Sequence, residues 1–327
     1  MNKYFSKLID NYSLYDLHKR RSTRSHFYKG IVSVPKIEDI ESFYTLPPTP
    51  NVKFSHQTII NNYSTGIYKY ESQIKNNQNS NDYSTGTYYI NNTLKTGTSV
   101  ILVHGWRMDS LDRIDKFFLK PLMQDGFDIY HFTLPHHFDR STAESLYNGE
   151  LMVSANVDRT LLSIQQAVSD LRALIRFLKE NNQKVILIGV SLGGFFTNLV
   201  ATLETRIDML ISVMYANSIP FSVFKSSPGK FIKKDFEEHG LTYQEVKKYW
   251  AITEPSNFKP AIPKENILLI SGMYDQYVLN EDTDLLWEAW GMPKRLIYPC
   301  GHSGIVLCRG RIRRDVMGFL GDNHTHK

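Results

Sequence analysis

From Ser99 onward, short apolar runs alternate with stretches of helical period. Strand-length runs occupy Ser99–Val103, Phe127–Phe132, Val185–Val190, Met209–Tyr215, Ile267–Ser271 and Arg295–Tyr298. Between the second and third, Asn156–Glu180 places Val157, Leu161, Ile164, Val168, Leu171, Ile175 and Leu178 at steps of mostly three and four, the signature of one buried helical face. Leu192–Leu203, Asp282–Trp290 and Arg311–Leu320 read as further helices. Continuous apolar strands separated by helices predict an α/β fold with a mainly parallel sheet covered on both faces.

The first hundred residues have a different texture. Residues 1–50 are polar and aromatic and end in Leu46-Pro47-Pro48-Thr49-Pro50, an extended connector. Residues 51–97 are rich in Asn, Ser, Thr and Tyr, and Asn62-Tyr63-Ser64-Thr65-Gly66 is echoed by Asp82-Tyr83-Ser84-Thr85-Gly86. The echo predicts similar turns entering two antiparallel strands, Ile67–Glu71 and Thr87–Ile90. The expected organisation is an N-terminal extension (1–50) followed by one α/β domain (51–327).

Composition narrows the function classes. Of 327 residues, 42% are hydrophobic and 22% charged, a globular balance, and the net charge of +5 is too mild for a nucleic-acid binder. All of that excess lies in residues 1–95, which hold 12 Lys/Arg against 7 Asp/Glu. Two cysteines, Cys300 and Cys308, cannot build a disulfide framework and fit a reducing compartment. With no secretory-type leader and no membrane-length apolar run, the expected location is cytoplasmic.

The chemistry begins at Gly189-Val190-Ser191-Leu192-Gly193, a G-x-S-x-G set between a strand and a helix. Such a sharp turn needs small residues on both sides, and it lifts Ser191 Oγ clear of the sheet. The competing role for Ser191 is a simple helix cap. A serine nucleophile needs a base, and the base needs an orienting carboxylate. The strand at Ile267–Ser271 runs into Asp275, and the strand at Arg295–Tyr298 runs into His302, so both are expected at the same sheet end as Ser191. Asp282 and Asp284 are alternative acids, expected instead to cap or flank the next helix. The backbone N–H groups of Trp106, in Val103-His104-Gly105-Trp106, and of Leu192 are candidate oxyanion donors. His104 itself reads as a structural hydrogen-bonder. Neither Cys300-Gly301-His302 nor His136-His137 makes a convincing metal site, the latter reading as a solvated loop pair. No cofactor or metal is expected.

As an ordered set, His104-Gly105-Trp106, Gly189–Gly193, Gly272–Asp275 and Gly301–His302 resemble the α/β-hydrolase superfamily across roughly residues 50–320. A looser likeness to an abhydrolase-18-type branch rests on Leu134-Pro135-His136-His137, Arg140, Asp158-Arg159-Thr160 and Gln166…Asp170-Leu171-Arg172, and implies an insert between the second parallel strand and the long helix. The resemblance implies a serine hydrolase cleaving an acyl ester with Ser191, Asp275 and His302. Thioester hydrolysis or acyl transfer would use the same residues, and a binding module that kept the fold without catalysis is the reading from a different class.

Two long segments, near 134–155 and 218–265, are expected to form a cap that sets acyl size. At the N-terminus, Tyr4, Phe5, Leu8, Ile9, Tyr12 and Tyr15 share one helical side, followed by Lys19-Arg20-Arg21 and Arg24. Such a stripe most often docks on its own domain; the alternative is peripheral contact of residues 1–24 with an anionic membrane surface. No catalytic residue is expected in residues 1–24. The expected partner is a small-molecule or lipid ester, with no nucleic acid.

Overall fold

A computed structural model of the chain describes residues 2–19, 24–30, 34–76 and 80–324. Among them, nine strands form one sheet: β1 (Lys53–Ile60), β2 (Tyr63–Glu71), β3 (Tyr83–Asn91), β4 (Thr98–Val103), β5 (Asp128–Phe132), β6 (Lys184–Val190), β7 (Met209–Val213), β8 (Ile267–Gly272) and β9 (Lys294–Tyr298). Their spatial order is β1-β2-β3-β5-β4-β6-β7-β8-β9. The β1–β2, β2–β3 and β3–β5 pairs are antiparallel, and every pair from β5 to β9 is parallel.

The parallel strands are apolar on both sides because both sides are covered. Along β4, Val100 and Leu102 join one core with Phe117 and Phe118 of a helix at Asp112–Gln124 and Ile312, Val316 and Phe319 of the last helix. Ile101 and Val103 join the other core, with Ile164, Leu171 and Ile175 of the long helix Val157–Glu180 and Phe195 and Phe196 of the helix Leu192–Ala201. The long helix starts where the sequence places it: the Asn156 side chain accepts a hydrogen bond from the Arg159 N–H.

Turns at residues 61–62 and 80–82 enter two antiparallel strands, as the echo predicts, but β2 and β3 begin earlier than expected, at Tyr63 and Tyr83, so most of each echoed segment lies inside a strand. A Cβ on Gly66 would sit 2.0 Å from the Ser55 carbonyl oxygen and one on Gly86 1.7 Å from that of His131, so the glycines serve close approach of neighbouring backbone. β1, exposed along its length, carries no alternating pattern and was not expected. A helix at Asp112–Gln124, with Pro121 inside it, is a further element that the sequence reading did not include.

The His136-His137 pair, expected to be solvated, lies in a well-packed stretch of the insertion 134–155. Arg140 is fully buried and donates to the Asp170 carboxylate at 2.7 Å and to the carbonyls of Thr133 and Asn81. Asp170 also accepts from Ser72 Oγ. His136 and His137 are fully buried too. Burial, with the nearby Arg140 cation, pulls His136 down to about 3, and burial pulls His137 well below the usual histidine value, so both are neutral. A buried ion pair with its hydrogen bonds anchors this insertion to the long helix.

Residues Lys3–Lys19 form α1. Its docked face is Ser6, Asp10 and Leu14, while Tyr4, Phe5, Leu8, Tyr12 and Tyr15 point to solvent. The expected docking of the aromatic stripe on its own domain is therefore reversed. Arg24 does not extend a basic face outward either, since it pairs with Glu150; Arg20 and Arg21 lie outside the described residues. No helix among the described residues is long and apolar enough to cross a membrane.

Candidate active site

The end of β6 turns sharply into the helix Leu192–Ala201, and Ser191 occupies the turn with φ 57° and ψ −117°. A non-glycine residue pays for a positive φ, so neighbouring packing must impose it. It does: a Cβ on Gly189 would lie 2.4 Å from the Gly193 carbonyl oxygen, and one on Gly193 2.1 Å from that of Val103. Ser191 makes no side-chain cap to its helix. Its Oγ lies 3.0 Å from His302 Nε2 instead, which removes the simple-cap role.

His302 Nδ1 lies 2.8 Å from Asp275 Oδ2. The other carboxylate oxygen, Oδ1, accepts the N–H groups of Tyr277 and Val278, both at 2.8 Å, so Asp275 is held from both ends. The Tyr277 ring stacks on the His302 imidazole at 4.6 Å between centroids and 11° between planes, which fixes the ring's tilt. Burial pushes the imidazole's proton affinity down. The charge and hydrogen bond of Asp275, with the charge of Asp10, outweigh that and hold His302 above the ordinary histidine value. The structure thus brings Ser191, His302 and Asp275 into one hydrogen-bonded row just past the ends of three parallel strands, β6, β9 and β8.

Trp106 and Leu192 both line the cavity above Ser191. Leu192 is the first residue of its helix, where the N–H has no intrahelical acceptor. A Cβ on Gly105 would lie 3.3 Å from Ser191 Cβ, so the β4 loop passes close to the serine. The Trp106 indole donates to the Gly149 carbonyl at 2.8 Å, tying this loop to the first insertion. His104 is buried and pulled down to about 4 by that burial; its Nε2 accepts the Leu134 N–H at 3.1 Å and its Nδ1 faces the Gly105 carbonyl at 2.8 Å. It is a neutral structural bridge between the loops after β4 and β5.

The cavity holds about 390 Å³ and is walled chiefly by apolar side chains, among them Phe117, Val153, Ile219, Val223 and Ile232. The second insertion supplies Ile219, Val223 and Ile232. The first supplies Val153. Ser13, Asp16 and Leu17 of α1 line it as well, a contribution the sequence did not suggest.

Two site expectations need correction. Asp282 lies in the first turn of the helix Asn280–Ala289, as expected, but it is fully buried there and accepts the N–H groups of Asn217 and Ser218 at 2.8 and 3.0 Å. Burial raises its carboxyl to about 7 despite those bonds. It does not reach His302, whose carboxylate partner is Asp275. Asp284 is half-exposed and pairs with Arg295, as a flanking residue would. The other correction concerns α1, which does not stand apart from the site. Asp10, fully buried, accepts the N–H groups of His302 (2.9 Å), Ser303 (2.9 Å) and Gln276 (3.2 Å). The only sequence signal was a lone carboxylate among Ser6, Ser13 and Leu17 on the side of α1 opposite the aromatic stripe. Cys300 and Cys308 are free thiols, and no cluster of metal-ligating residues occurs among the described residues.

Comparison with known proteins agrees with this architecture. A model of the alpha/beta hydrolase family matches residues 100–306. The uncharacterized protein YdjC of Bacillus subtilis (strain 168) is 48% identical over 111 residues, 34% of this chain and 96% of that protein. An uncharacterized protein of Mycobacterium tuberculosis (strain ATCC 25618 / H37Rv) is 27% identical over 229 residues, 68% of this chain; the chain spans about half (53%) of that relative's length. Among solved structures, the acetyl xylan esterase from Paenibacillus sp. R4 superposes with a TM-score of 0.64 at 12% identity, over 93% of this chain and 99% of its own. Acetyl xylan esterase 1 from Thermoanaerobacterium sp. JW/SL YS485 gives 0.62 at 16% identity, over 83% and 90%. At such identities these structures speak for the fold alone. With the family model covering more than half of its length, the chain belongs to the alpha/beta hydrolase family.

Proposed function

We propose that this protein is a serine hydrolase that cleaves a carboxylic ester with an apolar acyl group. The observation that carries the proposal is the unbroken row Ser191 Oγ–His302 Nε2, His302 Nδ1–Asp275 Oδ2 at the mouth of an apolar cavity. Ser191 Oγ attacks the ester carbonyl while His302 takes its proton, and Asp275 holds the imidazole in the tautomer that accepts it. The N–H groups of Trp106 and Leu192 receive the oxyanion. The tetrahedral adduct then collapses as His302 passes the proton to the leaving alkoxide, giving an alcohol and an acyl-Ser191. Water, deprotonated by the same imidazole, releases the acid and restores the serine.

The cavity volume suits a ligand of modest size, since pockets for small molecules run from about 300 to 1,000 Å³. Its apolar walls favour an acyl chain over a charged acid.

A fluorophosphonate tests the proposal directly, because only a base-activated serine beside oxyanion donors reacts fast with it. Labelling is expected in the parent and absent in Ser191→Ala. A folded parent that stays unlabelled, or a Ser191→Ala variant labelled equally, would favour a non-catalytic binding module.

A further inference from the structure

α1 is built against the usual rule for a surface helix. Amphipathic helices bury the apolar stripe and expose the polar one; here a carboxylate goes inward and aromatic rings go outward. Local departures of this kind are expected at functional sites. We propose that Asp10 is a positioning residue of the active site, clamping the loop that carries His302 to the loop that carries Asp275. The proposal rests on the serine-hydrolase reading above.

The geometry is specific. Oδ2 of Asp10 accepts the backbone N–H of His302 itself and of Gln276, the residue after Asp275, while Oδ1 accepts that of Ser303. One carboxylate therefore spans both loops, roughly 265 and 290 residues away along the chain. Three amide donors satisfy a buried carboxylate that would otherwise be costly to desolvate. The close fit also explains Gly301, where a Cβ would fall 2.4 Å from Asp10 Oδ2. Burial and the Asp275 charge hold the Asp10 carboxyl above the usual range, opposed by the bonds from His302 and Ser303. In its ionised form Asp10 is the second negative charge that raises His302.

Asp10→Asn tests this. The amide keeps the size of the side chain, removes the charge and turns a donor toward one of the amides. Misplacing the base by about 1 Å costs on the order of 10²-fold, so kcat on a short soluble ester is expected to fall by roughly that factor with KM little changed. The acid limb of the kcat/KM profile is expected to move to lower pH, because a charge that raises His302 is gone; a purely structural role would not move it. Gly301→Ala, which displaces the Asp10 carboxylate sterically, is expected to lower kcat and shift the limb the same way, and it carries the test alone if Asp10→Asn does not fold. Parent-like kcat and an unmoved acid limb in the folded variants, with Ser191→Ala inactive, would overturn the role of Asp10 alone. Activity in Ser191→Ala would overturn the hydrolase reading on which it rests.

A separate observation is the outward face of the same helix. Tyr4, Leu8, Tyr12 and Tyr15 are 84%, 64%, 77% and 69% exposed, and Phe5 is half-exposed. Lysines flank them: Lys3, Lys7 and Lys19 are exposed on α1, and Lys225 and Lys230 border a groove shared with Asn11, Tyr15 and His18. We infer that this face docks on an anionic lipid surface, its rings at the headgroup level and the lysines toward lipid charge. Docking there would set the cavity, which α1 also lines, beside the bilayer.

Vesicle sedimentation is the test. The parent is expected to co-sediment with phosphatidylglycerol vesicles, less with phosphatidylcholine ones, and the variant Tyr4→Ser/Phe5→Ser/Tyr12→Ser is expected to lose binding while cleaving a soluble ester at the parent rate. A parent that binds neither vesicle, a variant that binds as well as the parent, or a parent whose aromatic face instead forms a dimer lost in the variant would overturn the inference.

Discussion

Two carboxylates stand beside His302, and they come from regions built on opposite rules. Asp275 follows β8, a strand buried along its whole length, and its position comes from the parallel sheet: consecutive strands end at one edge and their loops converge there. Asp10 sits on α1, whose docked face is Ser6, Asp10 and Leu14, and its position comes from three backbone N–H groups that point the same way. One placement is fixed by topology and hydrophobic burial. The other depends on hydrogen bonds formed only once both partners are folded.

The largest effect expected from breaking that comparison is at Asp275. Asp275→Asn presents an amide to the imidazole and stabilises the wrong tautomer, and in serine triads such a change costs about 10⁴ in turnover without unfolding. In the parent, kcat/KM is expected to rise with pH through one ionisation lying above the ordinary histidine value of 6.5, because Asp275 and Asp10 favour the protonated ring and only the neutral ring accepts the serine's proton. A steady-state pH profile measures it; an acid limb at or below 6.5 would mean that the two charges do not outweigh the burial that opposes them.

The next effect separates the two insertions. The first is anchored by the buried Arg140–Asp170 pair, whereas short helices of the second wall the cavity. Removing one member of a buried pair leaves the other charge uncompensated, so Arg140→Met is expected to cost about 3–5 kcal/mol in chemical denaturation. An equally bulky change at Ile232 is expected to alter chain-length preference with little loss of stability. If Arg140→Met were as stable as the parent, the anchoring of the first insertion would have another origin.

The smallest effects concern the acids that are not in the row. Asp282→Asn turns an amide toward one of two backbone donors and is expected to lose about 1–3 kcal/mol at pH 5. The folded carboxyl titrates at about 7 against 3.8 when unperturbed. Between those values the folded state holds a proton that the unfolded chain has released. The parent therefore loses stability as pH rises through that window, while the variant does not, and the gap between them should narrow toward pH 8. Asp284→Asn, at a half-exposed pair with Arg295, is expected to stay within about 0.5 kcal/mol. Denaturation curves at pH 5 and 8 check both.

The sequence by itself determined the fold class, six parallel strands to within a few residues, and the three side chains of the row. Each of these rests on chemistry close in sequence: apolar runs of strand length, a serine between glycines at a strand-to-helix turn, an acid and a histidine just past strand ends. The acid was legible only because Asp282 and Asp284 fall inside the following helix, though burial of Asp282 was not. What the tertiary structure alone decided depends on contacts far apart along the chain. Whether His136-His137 faces water, which way α1 rolls and what Asp10 touches are set by partners tens to hundreds of residues away. A helical wheel shows that α1 has an aromatic side and a polar side, but only the folded loops around His302 and Gln276 offer the amide donors that make the polar side the buried one.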